Sequence, residues 1–281
     1  MNTIGIDLGG TQIRAAKVNA TEILTIRSGR ITASGTVRQV LDELTGLLES
    51  VVDDSVGAIG IGVPSVVDVE KGIVYDVQNI PSWKEVPLKS ILEERFGLPV
   101  EVNNDANCFA LGEFYYGKGK RSHSFIGLTL GTGLGAGIIV HDRLYEGTNC
   151  GAGEFGMVSY LDQYYEYYAS GQFFPNCHHT AGEVVYRKAV SGDAEALRIM
   201  ETFGRHLGNA VKMILYTYAP QLIILGGSIR EAYRFFEKTM WEEIRTFAYP
   251  KSLESFRVEV SELEHAGVLG AAALYYDKHS E

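Results

Sequence analysis

The sequence predicts an α/β protein built of two similar halves. Short apolar strands alternate with amphipathic helices along the 281 residues, and this alternation is typical of α/β folds. Residues 3–18 form the pattern strand, turn with glycine and threonine, strand, and the same pattern returns at 125–140. We interpret this recurrence as an internal duplication. The length also suits two domains, because domains usually span roughly 100–200 residues.

The first half opens with a hairpin. Residues 3–7 and 13–18 have strand character on either side of a glycine turn. Apolar residues at i, i+3, i+4 and i+7 predict an amphipathic helix over 37–52. The elements that follow are a buried strand at 58–63 stopped by Pro64, a helix at 88–96, a strand at 100–102 and a helix at 106–115.

The second half follows a polar, glycine-containing stretch at 118–122, which favours a domain boundary. We therefore expect an N-terminal domain over 1–117 and a C-terminal domain over 118–267, with 268–281 packing back on the first. The predicted elements are strands at 125–130 and 136–140, a long helix at 193–218, a strand at 221–225, a helix at 229–247, a strand at 257–260 and a helix at 268–276.

Composition excludes several classes of protein. Hydrophobic residues form 46% of the chain and charged residues 21%, so disorder is excluded as the main state. The formal net charge is −10 and no run of Lys and Arg reaches four, so the electrostatic signature of a nucleic-acid binder is missing. Apolar stretches fall far short of the roughly 18–20 residues that cross a bilayer, and the N-terminus lacks the features of a secretory signal. We expect a cytoplasmic protein with no nucleic-acid or membrane partner.

Three cysteines, Cys108, Cys150 and Cys177, are present. An odd number without CxxC spacing excludes a disulfide framework and forms no recognisable metal knuckle. We expect all three to be buried, apolar thiols.

Three glycine-rich turns follow predicted strands: Asp7-Leu8-Gly9-Gly10-Thr11, Gly131-Thr132-Gly133 and Gly226-Gly227-Ser228. Glycines let backbone N–H groups approach an anion, and a threonine hydroxyl adds a donor. Any one of these turns can equally be a tight hairpin. Three in one chain indicate a nucleotide phosphate site.

Two other nucleotide motifs compete with this interpretation. GxxxxGK[ST] is missing from the sequence, which excludes a P-loop. Residues 131–136 match the dinucleotide pattern G-x-G-x-x-A, and Glu154 lies at a suitable distance for a ribose contact. That motif requires a helix next, whereas residues 137–140 are strand-like. A nicotinamide enzyme is therefore the weaker alternative.

Two aspartates lie beside predicted strand ends. Asp105 lies between a strand and a helix, where its carboxylate can either accept a proton from an attacking hydroxyl or cap the helix. Asp7, at the first glycine turn, can either orient Mg²⁺ through water or make a hydrogen bond within the turn.

Four motifs together resemble the ROK family of bacterial sugar kinases and repressors, within the wider group of actin-like sugar kinases and heat-shock ATPases. They are the Asp7–Thr11 turn, Asn104-Asp105-Ala106-Asn107 with Leu111-Gly112-Glu113, Leu130-Gly131-Thr132-Gly133-Leu134-Gly135, and Gly151-Ala152-Gly153-Glu154-Phe155-Gly156. The match covers essentially the whole chain in order. The repressor branch carries an additional N-terminal helix-turn-helix, whereas here the first motif begins at residue 3.

The resemblance implies two actin-like (ribonuclease H-like) α/β domains with an interdomain cleft, and transfer of phosphate from ATP, with Mg²⁺, to a sugar hydroxyl. It implies that Asp105 is the catalytic base. Further implied roles are sugar binding for Asn79, Asn104, Asp105, Glu154 and Glu166, and nucleotide binding for Asp7, Gly9, Gly10, Thr11, Gly131, Thr132, Gly133, Gly226 and Gly227. It also favours a homodimer.

One departure from the family pattern concerns zinc. Family members carry a histidine where this chain has Met157, followed by a cysteine cluster, and the stretch from there to Glu166 contains no cysteine. We therefore expect no structural zinc. Tyrosines fill residues 160–168 instead, and they either hold this loop by aromatic packing or belong to an ordinary helix with tyrosines on two faces.

The resemblance implies an ATP-dependent kinase of a hexose or hexose derivative, with glucokinase-like activity. The alternative is a non-catalytic sugar-binding or regulatory ROK protein. Retention of Asp105 and of all three glycine turns argues against that alternative.

Overall fold

The computed structural model describes residues 1–279. The strands are β1 (Asn2–Leu8), β2 (Gln12–Val18), β3 (Ile23–Arg30), β4 (Val56–Val63), β5 (Val66–Asp68), β6 (Ile73–Tyr75), β7 (Glu85–Val86), β8 (Val100–Asn104), β9 (Phe125–Leu130), β10 (Leu134–Val140), β11 (Arg143–Leu144), β12 (Ser159–Tyr160), β13 (Gln163–Tyr164), β14 (Leu222–Gly226) and β15 (Arg257–Val260). The α-helices are α1 (Val37–Glu49), α2 (Leu88–Phe96), α3 (Asp105–Tyr115), α4 (Tyr165–Ala169), α5 (Phe173–His178), α6 (Gly182–Val190), α7 (Ala194–Tyr218), α8 (Tyr233–Ile244), α9 (Pro250–Leu253) and α10 (Ala266–His279). Short 3₁₀ turns lie at Lys118–Arg121, Thr148–Cys150, Phe155–Met157 and Ser228–Ala232.

The chain forms two compact units. Unit 1 consists of Met1–His123, Gly137–Ala152 and the described residues from Glu262 onward, and unit 2 consists of Ser124–Ala136 and Gly153–Ser261. The sequence predicts that the chain passes from the first domain to the second after residue 117 and returns near 268. In the structure the chain passes between the two units four times.

The two additional passages arise because residues 137–152 pack with unit 1. A methyl group at Gly137 would lie 2.5 Å from the Ala106 carbonyl oxygen, so β10 passes directly against α3 and its second part packs with unit 1. No local composition signal marks that contact. Helix α10 also packs in unit 1, where Val268, Leu269 and Ala272 contact the apolar side chains of β2. Residues 280 and 281 of the predicted returning segment lie outside the described residues.

Both five-stranded sheets have the same topology. The first has the order β3-β2-β1-β4-β8, and the second has the order β11-β10-β9-β14-β15. In the first, β1 runs antiparallel to β2 and parallel to β4, which is parallel to β8. In the second, β9 runs parallel to β14 and β14 parallel to β15. The second sheet thus repeats the strand order of the first, as the recurring strand–turn–strand pattern predicts.

The central parallel strands are buried because helices cover parallel sheets on both faces. Strand β4 has the sequence VGAIGIGV, and seven of its eight residues are buried. Such continuous apolar strands place polar residues at the strand ends, which is where the candidate site residues lie.

Several predicted helices have different bounds. Helix α1 ends at Glu49 instead of residue 52, because the chain turns there and Ser50 donates its N–H to the Leu47 carbonyl. Val51 is nevertheless buried, which explains why the apolar periodicity runs on. The predicted helix 229–247 divides into a 3₁₀ turn and α8. None of the helices formed by residues 1–279 combines the length and apolarity needed to cross a membrane.

Candidate active site

Unit 1 gathers its predicted site residues at one edge of its sheet. Strands β1, β4 and β8 are parallel, so their carboxyl ends share an edge, the usual location of ligands in such sheets. The Asp7–Thr11 turn begins in the last two residues of β1. Asn104 is the last residue of β8, and Asp105 is the first residue of α3.

Asn104, not Asp105, caps helix α3. The Asn104 side chain accepts hydrogen bonds from the backbone N–H groups of Ala106 at 2.8 Å and Asn107 at 3.4 Å. Its amide nitrogen donates to the Ser65 carbonyl at 3.3 Å. Asp105 is the first helical residue and is exposed, with its own Oδ1 2.8 Å from the Ala106 nitrogen. The capping role that the sequence left open for Asp105 is thus carried by its neighbour.

Asp7 lies half-buried beside the first turn and 3.5 Å from the Arg14 guanidinium. Burial raises the pKa of the Asp7 carboxyl, and this effect outweighs the lowering by Arg14 and by His265.

Asn79 lies directly against the first glycine turn. A methyl group at Gly10 would overlap the Asn79 side chain, so glycine is required for this approach. The Gly9 N–H closes the turn by donating to the Gln12 carbonyl at 2.9 Å. The structure therefore brings together Asn79 and the turn, which are almost 70 residues apart in the sequence.

Unit 2 brings the other two glycine turns together. Strands β9 and β14 are parallel neighbours, so the turns at Gly131 and Gly227 start at the same sheet edge. Gly227 has φ of +77° and lies against the Leu130 backbone, so any side chain there would be strained and would overlap it. This contact fixes one turn against the other.

A cavity of about 450 Å³ lies beside these turns in unit 2. Gly131 and Thr132 line one part and Ser228 and Ile229 another. The predicted Gly226 and Gly227 support this wall and do not line it. The other lining side chains include apolar, acidic and amide groups: Phe174, Pro175, Tyr186, Met200, Glu183, Glu231 and Gln172. The volume lies within the roughly 300–1,000 Å³ of small-molecule sites.

Sequence reasoning missed much of this cavity wall. Residues 171–175 and 182–186 contribute to it from α5, α6 and the loops around them. Helix α5 has only six residues, too few for a periodic pattern. A signal that could have indicated them is the pair of glycines, Gly171 and Gly182, since each lies where a side chain would collide with neighbouring atoms.

The two glutamates of unit 2 have different surroundings. Glu154 is exposed, yet partial burial by the surrounding chain raises the pKa of its carboxyl, and the Glu166 carboxylate adds to this rise. Glu166 is half-buried and accepts hydrogen bonds from the backbone N–H of Leu134 at 2.9 Å and from the Gln172 side chain at 2.7 Å.

The tyrosines of residues 160–168 form an aromatic cluster with His206. Tyr160 stacks on Tyr165 at 4.4 Å between ring centroids and meets Tyr168 edge-on at 5.7 Å. The Tyr160 hydroxyl lies 3.2 Å from His206 Nδ1 on α7. The alternative of one ordinary helix is wrong, because the hairpin β12–β13 takes the first part of this stretch and α4 only the second. That the cluster replaces a metal stays a hypothesis.

Metal-ligating side chains are scattered. Across residues 1–279, no three side chains of His, Cys, Asp or Glu come together to hold a metal ion. Cys108 and Cys150 are buried as predicted, and burial raises the pKa of both thiols. The prediction for Cys177 is wrong, because this residue lies near the end of the short helix α5 with its side chain exposed.

Fold and site residues define a class of protein with two actin-like α/β domains, each carrying glycine turns at the carboxyl ends of its parallel strands. The chain belongs to the ROK family, whose sequence profile matches residues 3–278. The two-domain fold and the family match both agree with the resemblance noted in the sequence.

Relatives within the family differ in what they do. The glucokinase of Thermotoga maritima is 28% identical over 99% of this chain and 98% of its own. A ROK family glucokinase from Streptomyces griseus, solved in complex with glucose and AMPPNP, has 28% identity and a TM-score of 0.81, covering 98% of this chain and 99% of its own. The xylose repressor of Bacillus subtilis is 26% identical over 98% of this chain and 77% of its own.

Proposed function

We propose that this protein transfers the γ-phosphoryl group of ATP to a hydroxyl group of a hexose or hexose derivative, with glucokinase-like activity. The observation that carries the proposal is the meeting of two glycine turns beside the 450 Å³ cavity of unit 2. Backbone N–H groups of such turns bind phosphates. The similarity to glucokinases over nearly the whole chain supports a sugar acceptor.

Asp105 is the general base in this proposal. Its carboxylate is exposed at the start of α3, and Asn104 carries the helix cap. The sugar hydroxyl oxygen attacks the γ-phosphorus, the bond to the β-phosphate oxygen breaks, and ADP leaves while Asp105 takes the hydroxyl proton. Asp7 would help to hold a hydrated Mg²⁺, and that ion would neutralise phosphate charge.

Asn79, Asn104, Glu154 and Glu166 are the proposed sugar contacts. Amides and carboxylates suit this task, because a site with polar groups for each hydroxyl rejects analogues that would leave those groups unpaired. Met157 has 54% of its surface exposed and cannot donate a hydrogen bond. We infer that the sugar preference differs from that of relatives with histidine at this position.

The test measures ADP release from ATP and Mg²⁺ with glucose, mannose, fructose, allose, N-acetylglucosamine and N-acetylmannosamine. One sugar should raise the rate well above the background with ATP alone. If no sugar does so, calorimetry with the same sugars decides the case. Sugar binding without turnover would favour the non-catalytic alternative, which the similarity to a xylose repressor keeps open.

The assembly is proposed from the resemblance, and the location from the sequence. We expect a cytoplasmic homodimer, and sedimentation velocity would measure the mass of the assembly. A monomer at micromolar concentration would contradict this part of the proposal without affecting the kinase assignment.

A further inference from the structure

The glycine turn of residues 131–134 is held in place by residues 166–172, which we call the clasp. Glu166 Oε2 accepts a hydrogen bond from the Leu134 N–H at 2.9 Å. Its Oε1 accepts a second from the side-chain amide of Gln172 at 2.7 Å. Both carboxylate oxygens are therefore engaged within unit 2, one of them by the backbone of the turn.

Two more hydrogen bonds fix the turn from the other end of the clasp. The Ser170 hydroxyl donates to the Thr132 carbonyl at 3.1 Å. The Gly171 N–H donates to the Gly131 carbonyl at 2.8 Å. Ser170 is fully buried, so its hydroxyl has little access to water as an alternative partner. The turn is thus bound at Gly131, Thr132 and Leu134.

Glycines enclose the Glu166 side chain. A methyl group at Gly133 would lie 2.5 Å from Glu166 Oε2, and one at Gly156 would lie 3.2 Å from Glu166 Cβ. The carboxylate therefore lies directly against the turn and has little freedom to leave it. This close approach is a second observation, independent of the hydrogen bonds.

The clasp also forms part of the cavity wall. Gly131, Thr132 and Gln172 all line the 450 Å³ cavity. A change in the Glu166 carboxylate would reach the cavity both through the turn and through Gln172.

We propose that Glu166 is a positioning residue for the nucleotide: through the clasp it sets the geometry of the phosphate-binding turn before ATP arrives. This inference rests on the proposed function and adds to it, since the family resemblance implies only a sugar contact for this glutamate. A turn held in its binding geometry binds more tightly, because less ordering remains to be done on binding.

The experiment measures binding of Mg²⁺–AMPPNP by calorimetry to the full chain without sugar. Glu166→Gln keeps the shape but leaves one of the two N–H donors without its carboxylate oxygen. Charge-assisted hydrogen bonds are among the stronger ones in proteins, so we expect Kd to rise about tenfold. Ser170→Ala should raise it about threefold. Glu201→Gln, the same change at an exposed position of α7, should leave Kd unaltered.

Hydrogen exchange of the nucleotide-free protein supplies a second measurement. The amide of Leu134 should exchange at least tenfold faster in Glu166→Gln than in the wild type or Glu201→Gln. In the kinase assay, Ser170→Ala, which leaves the proposed sugar contacts intact, should raise KM for ATP and leave KM for the sugar unaltered. A purely structural defect would instead lower Tm and affect both constants alike.

The outcomes separate the clasp from the proposed function. Unaltered or tighter AMPPNP binding by Glu166→Gln would overturn the inference, even if sugar binding were lost. Failure of the wild type to bind AMPPNP would overturn the proposed function and the nucleotide role together, while hydrogen exchange would still report whether the clasp holds the turn. If Glu166→Gln fails to fold, the test uses Ser170→Ala instead. An unaltered Kd of Ser170→Ala for Mg²⁺–AMPPNP would then overturn the proposal.

Discussion

Replacing Asp105 by asparagine separates catalysis from helix capping. The cap of α3 is the Asn104 side chain, which accepts hydrogen bonds from two backbone N–H groups. Asp105 is the first helical residue, and its carboxylate is exposed. Asp105→Asn therefore removes the proposed proton acceptor and leaves the cap in place.

Asp105→Asn should affect the reaction rate far more than the stability of the protein. A positioned general base contributes about 10²–10⁴-fold to the rate, or about 3–5 kcal/mol of the activation barrier. The charge of an aspartate in the first turn of a helix stabilises it by about 0.3–1 kcal/mol. For a chain of this size that loss lowers Tm by no more than about 2–4 °C. We therefore expect a strong loss of kcat with almost unchanged stability.

The assay follows ADP release with the sugar that gives the highest rate, together with thermal unfolding. Asn104→Ala serves as the capping control and should cost about 1 kcal/mol of stability. Asp193→Asn makes the same chemical change at the N-cap of α7 and should retain full activity. If Asp105→Asn kept more than a tenth of the wild-type kcat, Asp105 would not be the base. If its Tm fell as steeply as that of a core variant, the role of Asp105 would be structural.

Three further predictions concern stability and reactivity. Gly270→Ala should destabilise the protein by about 3 kcal/mol or more in urea unfolding, because the added methyl group would overlap the backbone carbonyl of Cys108. In the control, Gly46→Ala, the added methyl group meets no neighbouring atom within 4 Å, and no loss of stability is expected. Equal loss of stability in both variants would refute the close packing at Gly270. Burial lowers the pKa of His206 below its ordinary 6.5, so as pH falls below 6.5 the imidazole is protonated in the unfolded chain before it is in the folded one. The free energy of unfolding should therefore decline there by at most about 1.4 kcal/mol per pH unit. The same pH dependence of stability in His206→Phe would contradict this prediction. Native protein should react with a thiol reagent at Cys177 alone, since the other two cysteines are buried, and three thiols should react after unfolding.

Much of the fold follows from the sequence because it depends on local pattern. The glycine turn after β1 and the repeated strand–turn–strand unit after residue 124 are both in the structure. Apolar periodicity located α1 and α2 because each has a face that must be buried. Helices α4 and α5 escaped prediction because they have five and six residues, too few for periodicity to separate a helix from a loop.

The candidate site follows from the sequence only in part. The motifs identified Asn104 and Asp105 as functional candidates, yet which of them caps α3 depends on backbone angles: Asn104 is extended, with φ of −68° and ψ of 147°. The family motif likewise marks Glu166, and spacing alone does not show that its carboxylate accepts the Leu134 N–H.

The sequence by itself determined the fold class, the duplication, the glycine turns and the family, because each depends on residue types at short spacing along the chain. Only the tertiary structure decided which segments belong to each unit, which residues line the cavity and how residues 166–172 hold the turn at 131–134. Those features depend on contacts between residues tens of positions apart. Such contacts form where side chains pack closely and buried polar groups find hydrogen-bond partners. No local pattern in the sequence predicts them.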